Sequence, residues 1–364
     1  MKKHINIPLF IPHMGCPNQC VFCDQHTISG TCSFLREKAR DEIETVLSTM
    51  PADTPCEIAF FGGSFTGIDR ELMTDLLDLA QTYVASGRVD GIRMSTRPDY
   101  IDPEILSILS QYTISAVELG IQSMDEMVLQ LCKRGHTASQ TRAACTRLTK
   151  AGIPWVGQMM IGLPGATLET ELACAREICQ MGAVACRIYP TIVLQHTELA
   201  AWTTSGTYTP LTVEEAVERS AAVLQVFVKA GVDCLRIGLC DSESLHDPAS
   251  CLAGPVHPAM GELVRSRLYR NALQAAVQEA ATEQAHDLLV QVPVGEVSAV
   301  VGQKRENVRW IEENYPVRLR KFQQDPAQMR YTVRCQGAFS TKRSTDTTMS
   351  KEHRDAANKQ GKEA

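Results

Sequence analysis

The chain has 364 residues, of which 44% are hydrophobic and 21% are charged, and this balance excludes a mostly disordered, collagenous or fibrous protein. No apolar run approaches the roughly 18 residues that a membrane-spanning helix needs. The formal charge of −6 argues against a surface that attracts nucleic acid everywhere.

The first 240 residues alternate predicted strands with predicted helices. Short apolar runs that end in turn residues predict strands at 5–11, 57–61, 91–95, 113–121, 153–161, 183–192 and 234–239. Apolar residues at helical spacing predict helices at 35–47, 69–84, 103–109, 125–132, 138–151, 168–181 and 213–230. This alternation predicts a parallel sheet, wound as a barrel or as an open sheet, with a site at the carboxyl ends of the strands.

The pattern changes after about residue 255. A helix is predicted at 262–281, followed by strands at 288–292 and 317–322 around a helix at 304–313, and by a further strand at 330–334. We therefore predict three parts: a barrel at 1–250, a small α+β domain at 251–338, and a disordered polar tail at 339–364.

The 14 cysteines are many for this length, but a disulfide framework is not expected. Asn6, Pro8 and Pro12 interrupt the apolar stretch near the N-terminus, and no small-x-small cleavage site follows it. The sequence thus predicts a cytoplasmic protein with reduced thiols and no membrane partner.

Three cysteines, Cys16, Cys20 and Cys23, follow the first predicted strand with the spacing C-x3-C-x2-C. A loop this short can place three thiolates around a soft metal centre, and it leaves a fourth position without cysteine. One alternative is a zinc site with His26 as the fourth ligand. Another is an iron–sulfur electron carrier, which normally has four cysteine ligands.

With Phe22 before its last cysteine, this segment resembles the signature of the radical S-adenosylmethionine (SAM) superfamily. The resemblance implies a [4Fe–4S] cluster on Cys16, Cys20 and Cys23, with one open iron that binds SAM. It implies reductive cleavage of SAM to methionine and a 5′-deoxyadenosyl radical, with the electron coming from a donor such as flavodoxin or ferredoxin. The implied fold is α/β, a partial parallel (β/α)6-type TIM-like barrel with a small C-terminal α+β domain.

Further motifs extend the resemblance over about residues 5–240. Segment 60–66 matches the Gly-Gly motif of the superfamily, and segment 94–100 resembles the Glu-Thr-Arg-Pro-Asp segment of the Elongator catalytic-subunit family, with a serine in place of the glutamate. Gln122 and Arg134 match residues that contact the ribose and carboxylate of SAM in oxygen-independent coproporphyrinogen oxidases. The resemblance thus implies these cofactor-binding residues: Phe22, Gly62, Gly63, Ser64, Ser95, Gln122, Arg134 and Gln158.

The C-terminal part carries further candidates. Segment 254–264 resembles the start of the C-terminal domain in proteins close to the Elongator catalytic subunit, and it makes His257, Arg265 and Arg267 substrate-side candidates. Residues 302–334 hold eight Lys/Arg and four Asp/Glu. Within them, Gly302-Gln303-Lys304-Arg305 resembles a phosphate-gripping Gly-x-x-Gly loop without its second glycine. This basic segment fits RNA binding, and it also fits a solvated surface.

These features predict a radical SAM enzyme whose substrate is an RNA base or an RNA-linked group, with tRNA as a partner. No acetyl-CoA-binding glycine loop is found in the last hundred residues, so the acetyltransferase reaction of the Elongator family is not expected. One alternative is tetrapyrrole or other small-molecule chemistry, although Gln25 stands where coproporphyrinogen oxidases have a further cysteine. The other alternative is a metal-holding RNA-binding protein without enzymatic activity.

Overall fold

The structure is a computed structural model that describes residues 4–11, 14–17, 20–25, 27, 34–51, 54–280 and 286–337. His26 and the predicted disordered tail at 339–364 lie outside the described residues. The strands of the N-terminal part are Ile5–Phe10 (β1), Cys56–Phe61 (β2), Gly91–Thr96 (β3), Ile114–Gln122 (β4), Trp155–Ile161 (β5), Ala185–Pro190 (β6), Val193–Leu194 (β7), Asp233–Ile237 (β8) and Cys251–Ala253 (β9).

Seven of these strands form one parallel sheet in the order β1-β2-β3-β4-β5-β6-β8. Neighbours in the sheet follow one another along the chain, with helices in the connections, as in the winding of a TIM barrel. The strands β1 and β8 are the two edges of this sheet and do not pair with each other. The sheet is therefore open and forms a half-barrel. The predicted α/β class and the partial parallel barrel are confirmed. The short β7 and β9 pair with each other in a separate antiparallel ribbon.

The helices around and after the sheet are Ala39–Thr49 (α1), Arg70–Ala85 (α2), Pro103–Leu109 (α3), Glu126–Leu131 (α4), Ala138–Lys150 (α5), Leu168–Gln180 (α6), Glu198–Thr204 (α7), Val213–Ala230 (α8), Glu243–His246 (α9), Met260–Ala280 (α10), Val297–Val301 (α11) and Glu306–Asn314 (α12). Asp102 caps α3 by accepting from the backbone N–H of Ile105, and Pro103 occupies the first turn, as the sequence predicts. The start of α8 has a capping box between Thr212 and Glu215.

A second, smaller sheet lies after the barrel. It contains Asp287–Val292 (β10), Arg318–Gln324 (β11) and Arg334–Gly337 (β12) in the order β11-β10-β12. The strand β10 pairs with β11 in parallel and with β12 in antiparallel orientation.

Two separate hydrophobic cores accompany the two sheets, and α10 contributes to both. Met260, Val264 and Leu268 in its first half pack into the barrel core. Tyr269 and Leu273 in its second half pack into the core of the smaller sheet. The boundary that we predict at residue 250 stays a prediction.

Within the described part of the chain, no helix has both the length and the apolar character that a membrane crossing requires.

Candidate functional site

The cysteine loop follows β1 and is anchored by backbone hydrogen bonds and by an apolar cluster. The backbone N–H of Cys23 donates to the carbonyl of Cys20 at 3.0 Å, which closes a tight turn. Val21 donates to the carbonyl of Cys132 at 3.2 Å. Phe22 is buried in an apolar cluster with Val21, Val128, Leu163, Val193 and Leu199. The aromatic side chain therefore acts as an anchor that fixes the loop to the barrel.

Two of the three thiols contact polar groups from other loops. The Cys16 Sγ lies 3.3 Å from the hydroxyl of Ser64, and Arg134 Nη1 donates to Cys20 Sγ at 3.2 Å. Burial, together with the neighbouring thiols of Cys20 and Cys16, raises the pKa of Cys23 to about 12, while the Arg134 guanidinium acts in the opposite direction. In the part of the chain that the structure describes, no three metal-ligating side chains are close enough to hold a single ion.

The glycine motif after β2 lets two loops approach each other closely. A Cβ atom on Gly63 would lie 2.2 Å from the carbonyl oxygen of Met14 and 2.7 Å from that of Ile11. A Cβ atom on Gly15 would lie 2.2 Å from the carbonyl oxygen of Ser64. Real Cβ atoms do not come this close to backbone oxygens, so the two loops can interlock only with glycine at these positions. The interlock also places Ser64 beside the first cysteine.

Arg134 and Gln122 lie together at the end of β4. Arg134 Nη2 donates to the carbonyl of Gly120 at 2.7 Å. Gln122 has a φ of +67°, a left-handed conformation that costs a non-glycine residue roughly 1–3 kcal/mol and that concentrates at functional sites. A Cβ atom on Gly120 would lie 3.1 Å from Gln122 Nε2 and 3.4 Å from Arg134 Nη2. The glycine therefore leaves room for both side chains.

Two buried polar atoms at this place, Arg134 Nε and Gln122 Oε1, have no hydrogen-bond partner among the described residues. Such buried groups are normally satisfied, and a polar ligand bound here would complete their hydrogen bonding. A guanidinium suits a carboxylate, and an amide suits a hydroxyl group. SAM carries both groups, so Gln122 and Arg134 fit this cofactor, and the three thiols of the adjacent loop are of the chemical type that binds an iron–sulfur cluster.

A network of charged side chains fills the inner face of the sheet, centred on Glu118, which is 1% exposed. Arg187 from β6 binds both of its oxygens, at 2.7 and 2.8 Å, and Gln158 from β5 donates to it at 2.7 Å. Arg93 from β3 lies 3.4 Å from Glu118 and also pairs with Glu57 on β2 at 2.7 Å.

This network includes two of the residues expected to bind the cofactor. Gln158 Nε2 lies 3.5 Å from the hydroxyl of Ser95, so the two predicted residues are neighbours on the inner face. Burial lowers the pKa of Arg187, but Tyr189 and Glu118 beside it outweigh this effect and raise its pKa above the ordinary value. The interior of the half-barrel is thus polar and charged, unlike the packed apolar interior of a complete barrel.

The sequence alone assigned no roles to Glu118 and Gly120, which lie on β4 together with the predicted residue Gln122. The alternation of charged and apolar residues along the strands could have revealed Glu118. Glu118 alternates with apolar residues on β4 that face the outer core, and Arg93 and Arg187 alternate in the same way on their own strands. Charged residues at inward positions of three strands indicate a polar barrel interior.

Two of the substrate-side candidates in the C-terminal part, Arg265 and Arg267, form ion pairs with neighbouring glutamates. Arg265 pairs with Glu262 and Glu296, at 3.0 and 2.8 Å. Arg267 pairs with Glu214 and Glu218 on α8 and so ties α10 to the barrel. Both arginines are therefore engaged in ion pairs with glutamates of α8, α10 and the segment before α11.

Comparison with known proteins gives consistent matches. Residues 10–177 match the Radical SAM superfamily, and residues 184–270 match the Radical_SAM C-terminal domain. An uncharacterized protein of Methanocaldococcus jannaschii is 29% identical over 224 residues, which are 58% of this chain and 68% of that protein. The tRNA uridine(34) acetyltransferase of the same organism is 30% identical over 207 residues, which are 51% of this chain and 38% of the enzyme.

A solved structure shows the same fold. The archaeal Methanocaldococcus infernus Elp3, with an N-terminal deletion, superposes with a TM-score of 0.59 at 21% identity, over 75% of this chain and 64% of that chain. The chain therefore spans less than two thirds of this protein and of the matched acetyltransferase. Both matches agree with the resemblance to the radical SAM superfamily that the sequence motifs indicate.

Proposed function

Because this chain belongs to the radical SAM superfamily, whose members are enzymes, we propose that Cys16, Cys20 and Cys23 hold a [4Fe–4S] cluster beside a SAM site that includes Gln122 and Arg134. When bound, the cluster supplies one electron, taken from a flavodoxin or ferredoxin, that cleaves SAM to methionine and a 5′-deoxyadenosyl radical. The observation that carries the proposal is the pair of unsatisfied buried atoms, Arg134 Nε and Gln122 Oε1, next to the cysteine loop.

The residues of the chain have distinct tasks in this proposal. Arg134 is held by the Gly120 carbonyl and by Cys20, and we assign its remaining Nε–H to the carboxylate of SAM. We assign the amide oxygen of Gln122, which has no partner among the described residues, to a ribose hydroxyl of SAM. Ser64 stays beside Cys16 because the glycine loops interlock, and Phe22 anchors the cysteine loop.

The other predicted cofactor contacts lie deeper in the half-barrel. Ser95 and Gln158 are neighbours there, and Gln158 is bound to Glu118. We assign them to the adenosine end of SAM and to the substrate beyond it. The charged network fixes Gln158, which donates to the buried Glu118, and Gln158 in turn lies beside Ser95.

We infer that the substrate is an RNA base or an RNA-linked group. The support is the similarity to a protein named tRNA uridine(34) acetyltransferase, of which this chain spans 38%. The polar inner face agrees with this class, because a base presents several hydrogen-bonding groups that Arg187, Gln158 and Ser95 can satisfy.

Anaerobic reconstitution tests the cluster and its chemistry. Reconstituted protein should contain four irons per chain and should release 5′-deoxyadenosine from SAM after reduction. Cys20→Ala should lose iron and this product. Cys240→Ala, which changes an exposed cysteine, should keep both. Full iron and full SAM cleavage in Cys20→Ala would contradict the proposal.

Addition of candidate substrates tests the substrate class separately. Release of 5′-deoxyadenosine should rise when total tRNA is added, and a new nucleoside should appear in the digested RNA by mass spectrometry. Stimulation by coproporphyrinogen, without any effect of RNA, would replace the RNA assignment with the tetrapyrrole alternative and would leave the cluster assignment intact.

A further inference from the structure

The unit beyond the barrel contains two helices joined by a short basic loop between two parallel strands. The order is β10, α11, the loop 302–305, α12 and β11. Neither matched family extends past residue 270, so no function of this unit follows from the family.

Asn307 fixes the loop 302–305 on its buried side, and the basic side chains of the loop are exposed. Asn307 is fully buried and donates to the carbonyls of Ser266 and Val300, at 2.9 and 3.0 Å. Lys304 and Arg305 have φ values of +48° and +62°, so the chain keeps the left-handed conformation of a glycine-rich loop where glycine is absent. Both of their side chains are exposed. The arrangement presents two adjacent cations on a fixed backbone.

A groove of about 450 Å³ runs beside this loop. One wall is formed by Arg305 and by Glu312 of α12, and the other wall is the stretch 317–320 at the start of β11. The strand β11 is an edge of the three-stranded sheet, and its outer side has no partner strand in the described part of the chain. The Leu319 N–H on this strand already donates to Glu312, and the other backbone groups of the outer edge are the ones that an extended ligand can reach.

The charges around the groove are mostly uncompensated. Among the residues that the structure describes, none forms an ion pair with Lys304, Arg305 or Arg318. Arg320 pairs with the exposed Asp287 at 2.9 Å. The single carboxylate in the groove, Glu312, accepts a hydrogen bond from the backbone N–H of Leu319 at 2.9 Å. The groove therefore favours a ligand with several negative charges.

We propose that this groove binds single-stranded RNA, with phosphates on Lys304, Arg305 and Arg318 and bases against the edge of β11. Arg305 and Arg318 line the groove and Lys304 adjoins Arg305 in the loop, and such a group of cations favours the phosphates of a nucleic-acid strand. A loop of the Gly-x-x-Gly kind between two helices is suited to clamp such a backbone. The site is separate from the cysteine loop, so its binding can be measured whether or not the cluster chemistry holds.

The test is binding of a labelled single-stranded oligoribonucleotide of about ten nucleotides to the full chain, followed by fluorescence anisotropy. Lys304→Glu combined with Arg305→Glu should weaken binding by tenfold or more. The dependence of log affinity on log salt should become shallower by about 1.4, since each phosphate contact on a single strand contributes about 0.7. The matched control is Lys150→Glu with Lys229→Glu, which makes the same charge change at exposed positions on the barrel helices.

Two more variants exclude a simple folding defect. Arg318→Glu, on the opposite wall, should also weaken binding. Glu312→Gln removes the only carboxylate in the groove and should tighten binding by about two- to fivefold, an effect that damage to the fold cannot produce. Equal weakening by the loop and barrel double variants would overturn the proposal, as would tighter binding of a duplex RNA of the same length.

Discussion

Arg134 is central to the candidate site, because it contacts Cys20 of the cysteine loop and the carbonyl of Gly120, and its Nε–H has no partner among the described residues. A planar guanidinium can make both contacts and still offer this N–H to a ligand, since its five N–H groups point in fixed directions. Lysine has the same charge but only one nitrogen, so it cannot keep both protein contacts and also bind a carboxylate.

Arg134→Lys should therefore weaken SAM binding by about 10- to 100-fold, the value of one or two charge-assisted hydrogen bonds. Equilibrium dialysis of labelled SAM against reconstituted protein measures this, with iron content checked in parallel. Arg142→Lys, at an exposed ion pair with Glu177, serves as the control and should bind SAM normally. Unchanged affinity in Arg134→Lys would remove this arginine from the SAM site.

His136 is a buried residue near Arg134, and its titration should make the free energy of unfolding depend on pH. Burial, Arg134 and Arg97 lower its pKa to about 3, so the folded protein holds a neutral imidazole. In the unfolded chain the pKa is about 6.5, so the unfolded state binds the proton first. The free energy of unfolding therefore falls as the pH drops below about 6.5, and this loss continues down to the folded pKa.

His136→Gln removes that titration. Between about pH 7.5 and pH 5, the parent chain should lose about 2 kcal/mol more of its unfolding free energy than the variant does. Urea unfolding of the metal-free protein at the two pH values gives the comparison. Identical pH dependence in the two proteins would show that the imidazole protonates in the folded state.

At the scale of elements, the site depends on how closely the loops after β1 and β2 interlock. Gly63→Ala should push these loops apart, because its Cβ atom would meet two carbonyl oxygens within 2.7 Å. We expect a loss of roughly 3 kcal/mol in unfolding free energy and a lower iron content after reconstitution. Gly206→Ala is the comparison, since its Cβ atom would meet nothing within 4 Å and only its φ of +77° is strained.

The comparison variant should lose only about 1–2 kcal/mol and should keep its iron. Thermal unfolding and iron analysis of both variants separate backbone strain from contact between loops. If Gly63→Ala keeps full iron, the interlock of the two loops is not needed to hold the cysteines.

Elements with strong local signals were predictable from the sequence. The helix α3 begins at its predicted cap, and β5 ends at the predicted residue, because caps and apolar periods are properties of neighbouring residues. The ribbon of β7 and β9 was not predicted, since 193–194 pairs with 251–253 and neither stretch is long enough to show a period. The short α7 was missed for the same reason.

The candidate site was predictable in part on similar grounds. The spacing of Cys16, Cys20 and Cys23 is visible in eight consecutive residues. The network around Glu118 joins five strands, β2 to β6, so no local pattern shows which arginine contacts Glu118. The left-handed Gln122 sits at a register shift between β4 and β5, which depends on the packing of the whole sheet.

At the scale of the whole molecule, α10 is the element that connects the two cores. Leu268 is buried in the barrel core, and Leu273, five residues later on the same helix, is buried in the core of the smaller sheet. A helix forms cooperatively, so the loss of packing at one end lowers the stability of the other. The two units should therefore open together rather than independently.

Leu268→Ala and Leu273→Ala make the same chemical change on the two sides of this junction. Each should cost about 2–5 kcal/mol, and each should speed amide hydrogen exchange in both α8 of the barrel and β10 of the smaller sheet. Leu76→Ala, in α2 on the barrel, is the control and should speed exchange in β2 and β3 before β10 responds. If Leu273→Ala speeds exchange only around β10, the helix does not couple the cores, and the RNA-binding groove can open without disturbing the cysteine site.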